Sequence, residues 1–409
     1  NLPERGTSYT IAEDHVNKDL LFVGTEFGLF VSIDGGAKWV QMKAGLPTIA
    51  VKDLEIQKRE NDLILATFGR GFYVLDDYTP LRNLKRDDLD KQAVIFPVKD
   101  AWMFIQSQPL GVRGKGFQGE SFFTTPNPKV GAVFTYYLKD DIKTIKEKRR
   151  AAEAEKIKKG EAPTYPSPDS LRLEDEQPAP HLLFTVTDEG GNVVRRLKAP
   201  AKKGLKRIVW DFRTSPFGPI DFTPFDESFA FSSPDQGYFA LPGTYKVSLS
   251  KFEDGVYTDL TEPQSFKAMT LNTATLPATD KKALDDFSKK IAELSRVVAA
   301  TDQYRGELVN KVRYLKQAII ETPKQSLDLS KALQDVEKRL NAVNRQLNGD
   351  ASVARREFET TPSINGRIGY VIGSLWNTTA APTQTQLNSY QIAAKQFTPV
   401  YNEIKAIAT

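Results

Sequence analysis

The stretch that decides the fold of this chain is Asp19–Trp39, with the sequence DLLFVGTEFGLFVSIDGGAKW. It holds two short apolar runs separated by a glycine turn, a pattern that predicts paired β-strands. Moving the sequence by 43 positions places the first run on Asp62–Leu65 and the second on Gly71–Val74 without a gap. A repeat of this length, with short apolar runs and a glycine turn in each copy, is typical of a four-stranded propeller blade.

The repeat predicts two sheets within residues 1–80. The strands expected are Tyr9–Ala12, Leu20–Thr25, Leu29–Ser32 and Trp39–Met42 in the first, and Val51–Gln57, Asp62–Thr67 and Gly71–Leu75 in the second. Repeat arrays need several units to bury the apolar faces of their members. We therefore expect residues 1–80 to be the last two blades of a β-propeller whose upstream blades are missing from this chain, followed by a linker at residues 81–100.

Between residues 101 and 273 the period disappears, and separated strands with turn signals take its place. The candidate strands are Gly131–Leu138, His181–Asp188, Asn192–Lys198, Gly204–Phe212 and Thr244–Lys251. Glu189-Gly190-Gly191 is a hairpin signal between two of them. Several mostly antiparallel strands of this kind predict an immunoglobulin-like or fibronectin-like β-sandwich.

A charged insertion at residues 139–180 interrupts the predicted sandwich. Within it, Lys143–Lys159 holds eight basic and three acidic residues and has high helix propensity but almost no apolar stripe. A helix that is charged on all sides is solvated, so an exposed insertion is the simpler interpretation. A basic arm that contacts an acidic partner or a membrane surface is the alternative.

Residues 274–409 are expected to be helical, because apolar side chains recur there at steps of three and four residues. These stripes run through residues 284–298, 308–319, 329–347, 364–375 and 387–404. Asn348-Gly349 is a helix stop signal, and Thr383 with Gln386 has the spacing of a capping box. The pattern predicts an antiparallel helical bundle, which makes the chain multidomain, mainly β and then α.

The composition excludes several classes of protein. Lys and Arg exceed Asp and Glu by four over 409 residues, so charge gives no reason to expect a nucleic-acid partner. The absence of cysteine excludes disulfides, thiolate catalysis and cysteine-bound metal. His15 and His181, the only histidines, fall in different predicted domains, which disfavours a histidine triad or a two-histidine metal site. No apolar run is long enough to cross a bilayer and no phosphate-binding loop occurs, so we expect no transmembrane segment and no cofactor.

The turns between the second and third strands of the two predicted blades are the best candidates for a contact site. In a four-stranded antiparallel blade this turn lies on the face opposite the hairpin between the third and fourth strands. Ligand sites in propellers of this kind usually occupy the face that carries the turn between the second and third strands. We therefore expect Glu26, Phe27, Phe68 and Arg70 to contact a ligand or partner. The alternative is structural: the aromatic rings pack between blades, and Arg70 pairs with Glu26 or a neighbour.

The hairpin Ser32–Trp39 carries a motif that supports a family resemblance. Ser32, Asp34, Gly36 and Trp39 fit the pattern S-x-D-x-G-x-x-W, which is similar to the Asp-box of bacterial-neuraminidase-type (BNR) repeats. We expect a structural role for it, with Asp34 accepting from backbone amides of its own turn and Trp39 covering the hairpin. Together with GLKRIVWDFR and PGTYKVSLS in the sandwich region, the chain resembles the C-terminal part of large bacterial sortilin-like, neuraminidase-type repeat proteins. The resemblance implies an exported protein, which would be periplasmic, outer-membrane-associated or extracellular.

Two functions remain open. The first is a non-catalytic binding or scaffold protein of the bacterial cell envelope or exterior, whose partners are the upstream blades of the same protein and a protein or glycan ligand. The second is a glycoside hydrolase, sialidase-like or xyloglucanase-like, with its catalytic residues mainly on missing blades. Glycosidases use two carboxylates on opposite sides of a bond. The adjacent pairs Asp76-Asp77, Asp140-Asp141 and Asp285-Asp286 point in diverging directions, so the binding function is favoured.

Overall fold

The computed structural model describes residues 2–106, 123, 125, 127–220, 222, 236–323 and 328–409. It is rich in β-structure, with several sheets, and has a helical C-terminal part. The chain divides into two units, and these comprise Asn1–Ala101, Asn127–Asp211 and Gly243–Ala268 in the first, and Trp102–Pro126, Phe212–Pro242 and Met269–Thr409 in the second. The predicted domain limits stay predictions, and residues 107–122 and 223–235 of the predicted sandwich region lie outside the described residues.

The first unit begins with two antiparallel sheets. Strands β1 to β4 pair in sequence order and cover Ser8–Glu13, Leu21–Thr25, Gly28–Ser32 and Val40–Met42. Strands β5 to β7 also pair in sequence order and cover Val51–Gln57, Asp62–Thr67 and Phe72–Leu75. All seven predicted strands are confirmed, each end within one residue, because alternating apolar residues and glycine turns mark their limits.

A shared apolar core joins these two sheets. Its fully buried members include Leu20 and Phe22 beside the first sheet's centre and Val51 and Leu63 in the second. The approach is close at Gly24, where an added Cβ would lie 2.8 Å from the backbone oxygen of Val51. Only glycine leaves room for this contact, so the core and the missing side chain together set the spacing of the sheets.

The chain continues from β7 into helix α1 (Thr79–Asn83) and a short 3-10 helix (Arg86–Leu89). Two residues of this segment reach back to the buried carboxylate of Asp14, which follows β1. The Tyr78 hydroxyl donates to Asp14 Oδ1 at 2.7 Å, and Arg82 Nη2 donates to the same oxygen at 2.6 Å. Tyr78, just before the predicted linker 81–100, and Arg82, within it, therefore tie this part of the chain to the loop that follows β1.

Strands β8 to β16 make two further sheets. They cover Ala93–Ile95, Ala101–Met103, Ala132–Leu138, His181–Thr187, Val193–Pro200, Gly204–Trp210, Gly243–Glu253, Val256–Asp259 and Gln264–Thr270. One sheet has the order β13-β10-β8; the other has the order β12-β11-β14-β16-β9, with β15 beside β14. The five predicted strands are confirmed. Sequence reasoning missed β8, β9, β15 and β16, of which the first two have three residues each and are too short to show alternation.

Aromatic rings fill the space between these two sheets. Phe134 of β10 stacks on Phe184 of β11 at 6.4 Å between ring centroids, and Trp210 of β13 lies edge-on to Tyr245 of β14 at 4.9 Å. Phe134, Phe184 and Trp210 are fully buried. The two sheets therefore face each other across one aromatic core.

The charged insertion forms helices α2 (Ile145–Lys158) and α3 (Pro168–Glu176). Helix α2 has no buried residue, as its charge pattern predicts. Arg149 joins the two helices through Nε and Nη2, which donate to Glu174 at 2.5 and 2.9 Å. Helix α3 was not predicted, because the prolines around it concealed it.

The C-terminal part contains helices α4 (Lys281–Glu321), α5 (Leu329–Asn348), α6 (Ala351–Ala354), α7 (Ile364–Leu375) and α8 (Gln384–Ala408). Four of them share one core, with Ile291, Leu347, Val371 and Val400 at its centre. The two predicted stripes between residues 284 and 319 belong to the single helix α4. Among the described residues, none of the helices combines the length and apolar character that crossing a bilayer requires.

Candidate functional site

The two predicted contact turns lie at the same end of their sheets. Glu26 and Phe27 connect β2 to β3, and residues 68–71 connect β6 to β7. Thr25 pairs with Ser8 and Thr67 pairs with Val51, so both turns lie where β1 and β5 begin. Tyr9, Glu26, Phe27, Lys52, Phe68 and Arg70 are together called the turn surface below.

Glu26 and Phe27 hold the segment that precedes β1. The backbone N–H of Glu26 donates to the oxygen of Thr7 at 2.9 Å, and the N–H of Thr7 donates to Glu26 Oε2 at 3.3 Å. An added Cβ at Gly6 would overlap the Phe27 ring, so the ring lies directly against the backbone of Gly6. Both residues therefore stabilise the segment before β1, whether or not they also contact a partner.

Lys52 lies between two aromatic rings that belong to different sheets. Its Nζ is 3.5 Å from the ring centroid of Tyr9 and 5.7 Å from that of Phe68. Phe68 is 72% exposed although its ring lies near this cation. A cation over aromatic faces gains electrostatic energy from the negative ring faces, about 0.5–1 kcal/mol at exposed sites. The arrangement therefore fixes two aromatic faces and a positive charge at the surface.

Sequence reasoning missed Tyr9 and Lys52, although the repeat contains the signal for both. The 43-residue shift places Tyr9 on Lys52 and Thr10 on Asp53. These equivalent positions are neighbours in the structure, where Thr10 Oγ1 donates to Asp53 Oδ1 at 3.4 Å. Equivalent positions of adjacent repeats lie side by side, so the shift could have identified the stack.

Arg70 is exposed at the tip of the β6–β7 turn. Among the described residues, no ion pair includes Arg70, so the alternative, in which it pairs with Glu26 or a neighbour, is not seen there. Gly69 and Gly71 on either side have φ values of +76° and +70°, a conformation that glycine adopts without strain. The two glycines thus shape a turn in which Phe68 and Arg70 are both exposed.

The Asp-box residues bond to one another within their hairpin, and Asp34 Oδ2 also accepts from Arg86 Nη2 at 2.7 Å. The Ser32 hydroxyl donates to Asp34 Oδ1 at 2.8 Å and accepts from the N–H of Gly36 at 2.9 Å, and the N–H of Lys38 donates to Asp34 Oδ1 at 2.9 Å. The hydrogen bond from Lys38, then that from Ser32, lowers the pKa of Asp34. Trp39 lies over Gly36, with ring atoms 3.5 and 3.9 Å from the position of an added Cβ. These contacts agree with the structural role expected for the motif, which stays a prediction.

The adjacent carboxylates Asp76-Asp77 and Asp285-Asp286 have different surroundings within each pair. Burial and the charge of Asp62 raise the pKa of Asp76, whose neighbour Asp77 accepts the N–H and hydroxyl of Thr79. Asp285 and Asp286 pair with different lysines. Within the described ranges, no three His, Asp or Glu side chains are grouped as metal ligands would be. The surface can stack on rings and attract negative or hydroxyl-bearing groups.

Comparison with known proteins finds likeness among solved structures. No protein-family model matches the chain, and no curated protein matches it. The extracellular domain of BT4673 from B. thetaiotaomicron matches at 11% identity and a TM-score of 0.15, over 66% of this chain and 26% of that one. PorZ, a surface component of the type-IX secretion system of Porphyromonas gingivalis, matches at 12% identity and a TM-score of 0.16, over 64% of this chain and 30% of that one.

The extracellular domain of BT3049 from B. thetaiotaomicron matches at 10% identity and a TM-score of 0.14, over 64% of this chain and 32% of that one. This chain thus spans 26% to 32% of the length of these solved chains. They are extracellular domains or surface components of bacterial proteins. TM-scores of this size carry no argument about function, and the resemblance to sortilin-like and BNR repeat proteins stays a prediction.

Proposed function

We propose that the chain is a non-catalytic binding or scaffold protein of the bacterial cell envelope or exterior, which recognises a protein or glycan through the turn surface. The observation that carries the proposal is the stack of Tyr9, Lys52 and Phe68, with the exposed Arg70 in the same turn as Phe68. Tyrosine and arginine are among the residues that dominate binding hot spots, and aromatic faces pack against other rings. The proposal includes export to the periplasm, the outer membrane or the exterior.

We infer further that the two N-terminal sheets are propeller blades. The contact between equivalent positions 43 residues apart supports this, because adjacent blades repeat one another by a rotation. Phe72 is 76% exposed and Val74 is 53% exposed, both on the face of the second sheet that points away from the shared core. Further blades of the same protein, in this chain or another, would cover that face.

The same proposal extends to the rest of the chain. The two facing sheets built from β8 to β16 suit an immunoglobulin-like or fibronectin-like sandwich, since they pack through one aromatic core. The helices that share the C-terminal core suit an antiparallel bundle. We propose no chemistry for either part, because a fold does not by itself imply a function.

The proposal is tested by binding measurements on matched variants. Glycan binding is measured as retardation of the chain in native gels, each containing one of a panel of bacterial and plant polysaccharides. A protein partner is captured in producing cells by replacing Phe68 with the photocrosslinking probe p-benzoylphenylalanine. If the partner is a glycan, the double variant Phe68→Ala, Arg70→Ala is expected to be retarded at least about tenfold more weakly. If the partner is a protein, Arg70→Ala combined with the probe at position 68 is expected to lose the crosslink. Phe358, which is 66% exposed in the second unit, provides the control substitution and the control crosslink site.

Two results would overturn this function. The first is release of shortened oligosaccharides from any polysaccharide of the panel by the purified chain, which would make it a hydrolase. The second is equal retardation and equal crosslinking for the Phe68, Arg70 and Phe358 variants, which would remove the turn surface from recognition. Export is checked separately by locating the protein in fractionated cells.

A further inference from the structure

A cavity of about 320 Å³ lies within the second unit. Its wall is formed by the segment after β9, residues 238–242, the segment before α4, the first two turns of α4 and the end of α7. A cavity of about 150 Å³ lined by apolar side chains holds one benzene molecule. The space therefore admits a molecule of two fused rings.

Four aromatic side chains contribute to the wall: Phe104, Tyr238, Phe239 and Trp376. Trp376 is buried, and its ring packs on that of Phe217 at 5.1 Å between centroids, which fixes it from the side. Arg213 lies 4.3 Å over the ring of Phe239 and donates to the backbone oxygen of Trp376 at 3.3 Å. Rings held in this way form a preorganised apolar wall.

Two polar side chains from α4 are buried in the same wall. Asp285 is 7% exposed and Ser288 is 5% exposed. Asp285 Oδ2 is 2.6 Å from Lys289 Nζ, and the Ser288 hydroxyl donates to the backbone oxygen of Leu284 at 2.8 Å. The carboxylate retains lone pairs beyond this ion pair, and the serine has already used its hydrogen. The two buried polar side chains from α4 thus offer acceptor atoms to the cavity.

The charges around the cavity favour a neutral occupant. Lys289 compensates Asp285, and Lys281 lines the wall at the exposed start of α4. A cation would meet Lys281 in the wall beside a carboxylate that Lys289 already compensates, and an anion would meet that buried carboxylate. Burial, and then the charge of Asp285, raises the pKa of Tyr238 to about 12, so its hydroxyl stays neutral at physiological pH.

We propose that this cavity binds a neutral two-ring molecule of the phenol or indole class, whose O–H or N–H group donates to Asp285 while its rings lie against Phe239, Tyr238 and Trp376. The apolar wall excludes water from the rings, and the buried acceptor selects molecules with a donor. The site belongs to the second unit and does not depend on the turn surface.

The probe for this proposal is 2-naphthol, compared with 2-methoxynaphthalene, which has the same rings and no donor. Isothermal titration is performed on the full chain at pH 7. We expect 2-naphthol to bind, and 2-methoxynaphthalene to bind about tenfold more weakly, because a hydrogen bond to a charged acceptor is lost. Asp285→Ala should weaken 2-naphthol about tenfold and leave 2-methoxynaphthalene unchanged, while Asp286→Ala, the next residue, should affect neither.

A second variant covers the case in which Asp285→Ala does not fold. Ala274 is exposed and lines the mouth of the cavity, so Ala274→Trp adds bulk there without entering the core. It is expected to abolish binding of both naphthalenes, whereas Phe68→Ala on the turn surface should leave binding unchanged. Absence of binding to the unmodified chain, equal affinity for the two naphthalenes, or unchanged binding by Ala274→Trp would each overturn the proposal.

Discussion

The buried carboxylate of Asp14 is expected to make the stability of the two N-terminal sheets depend on acid pH. Asp14 is 1% exposed, and its Oδ2 accepts from Arg82 Nε at 2.7 Å and from the N–H of Asn17 at 2.8 Å. Burial opposes the charged form, but the hydrogen bonds from Arg82, Tyr78 and Asn17 outweigh it and lower the pKa to about 2. The ordinary value is 3.8.

The contribution of Asp14 to the free energy of unfolding follows from the difference between its ordinary and folded pKa values. Because the folded pKa lies below the unfolded one, the stabilisation is complete above pH 3.8 and is lost as the pH falls through about 2. A shift of nearly two pKa units corresponds to about 2 kcal/mol. Asp14→Asn leaves the Arg82 charge uncompensated where it is largely buried, which costs about 3–5 kcal/mol at pH 7.

The assay is urea unfolding between pH 7 and pH 2, followed by hydrogen exchange of peptides from residues 8–75, which isolates these sheets from the rest of the chain. Asp14→Asn is expected to be less stable at pH 7, and its deficit should shrink by about 2 kcal/mol towards pH 2. Asp19→Asn, an exposed carboxylate in the same loop, is the control and should change little at any pH.

A double variant separates the ion pair from the individual residues. Asp14→Asn combined with Arg82→Met should cost less than the sum of the two single changes, because the second change removes the uncompensated charge. A deficit of Asp14→Asn that stays constant from pH 7 to pH 2, or additive single and double variants, would refute the reasoning.

Two further predictions concern other contacts of the first unit. Gly24→Ala should destabilise the two sheets by about 1–3 kcal/mol, because the added carbon would lie 2.8 Å from the backbone oxygen of Val51. The same hydrogen-exchange assay measures this loss. An unchanged stability would contradict the close approach of the two sheets at Gly24. Arg149→Ala should speed proteolysis within residues 139–180, because it removes both hydrogen bonds to Glu174. Arg172→Ala, which breaks an exposed ion pair of α3, is the control. Equal cleavage of the two variants would argue against the role of Arg149 in joining α2 to α3.

The strands of the first two sheets could be predicted closely because their limits are local. Each apolar run ends at a glycine or an Asp/Asn turn, and the second copy confirms the first, so β2 and β6 are marked twice in the sequence. The same holds for the long helices, whose stripes persist over many turns. Strands of three residues such as β8 and β9 carry too little pattern to be recognised and are formed only because a longer strand offers them a partner.

At the candidate functional sites too, some features depend on neighbouring residues and others only on tertiary contacts. The sequence by itself placed Phe68 and Arg70 in a turn, since turn geometry depends on neighbouring glycines. Only the tertiary structure placed Lys52 between Tyr9 and Phe68, closed the buried network around Asp14, and brought Asp285 to a cavity with Phe104 and Trp376. These contacts join residues far apart in the chain, and their energies depend on burial and distance, which no local pattern of residues records.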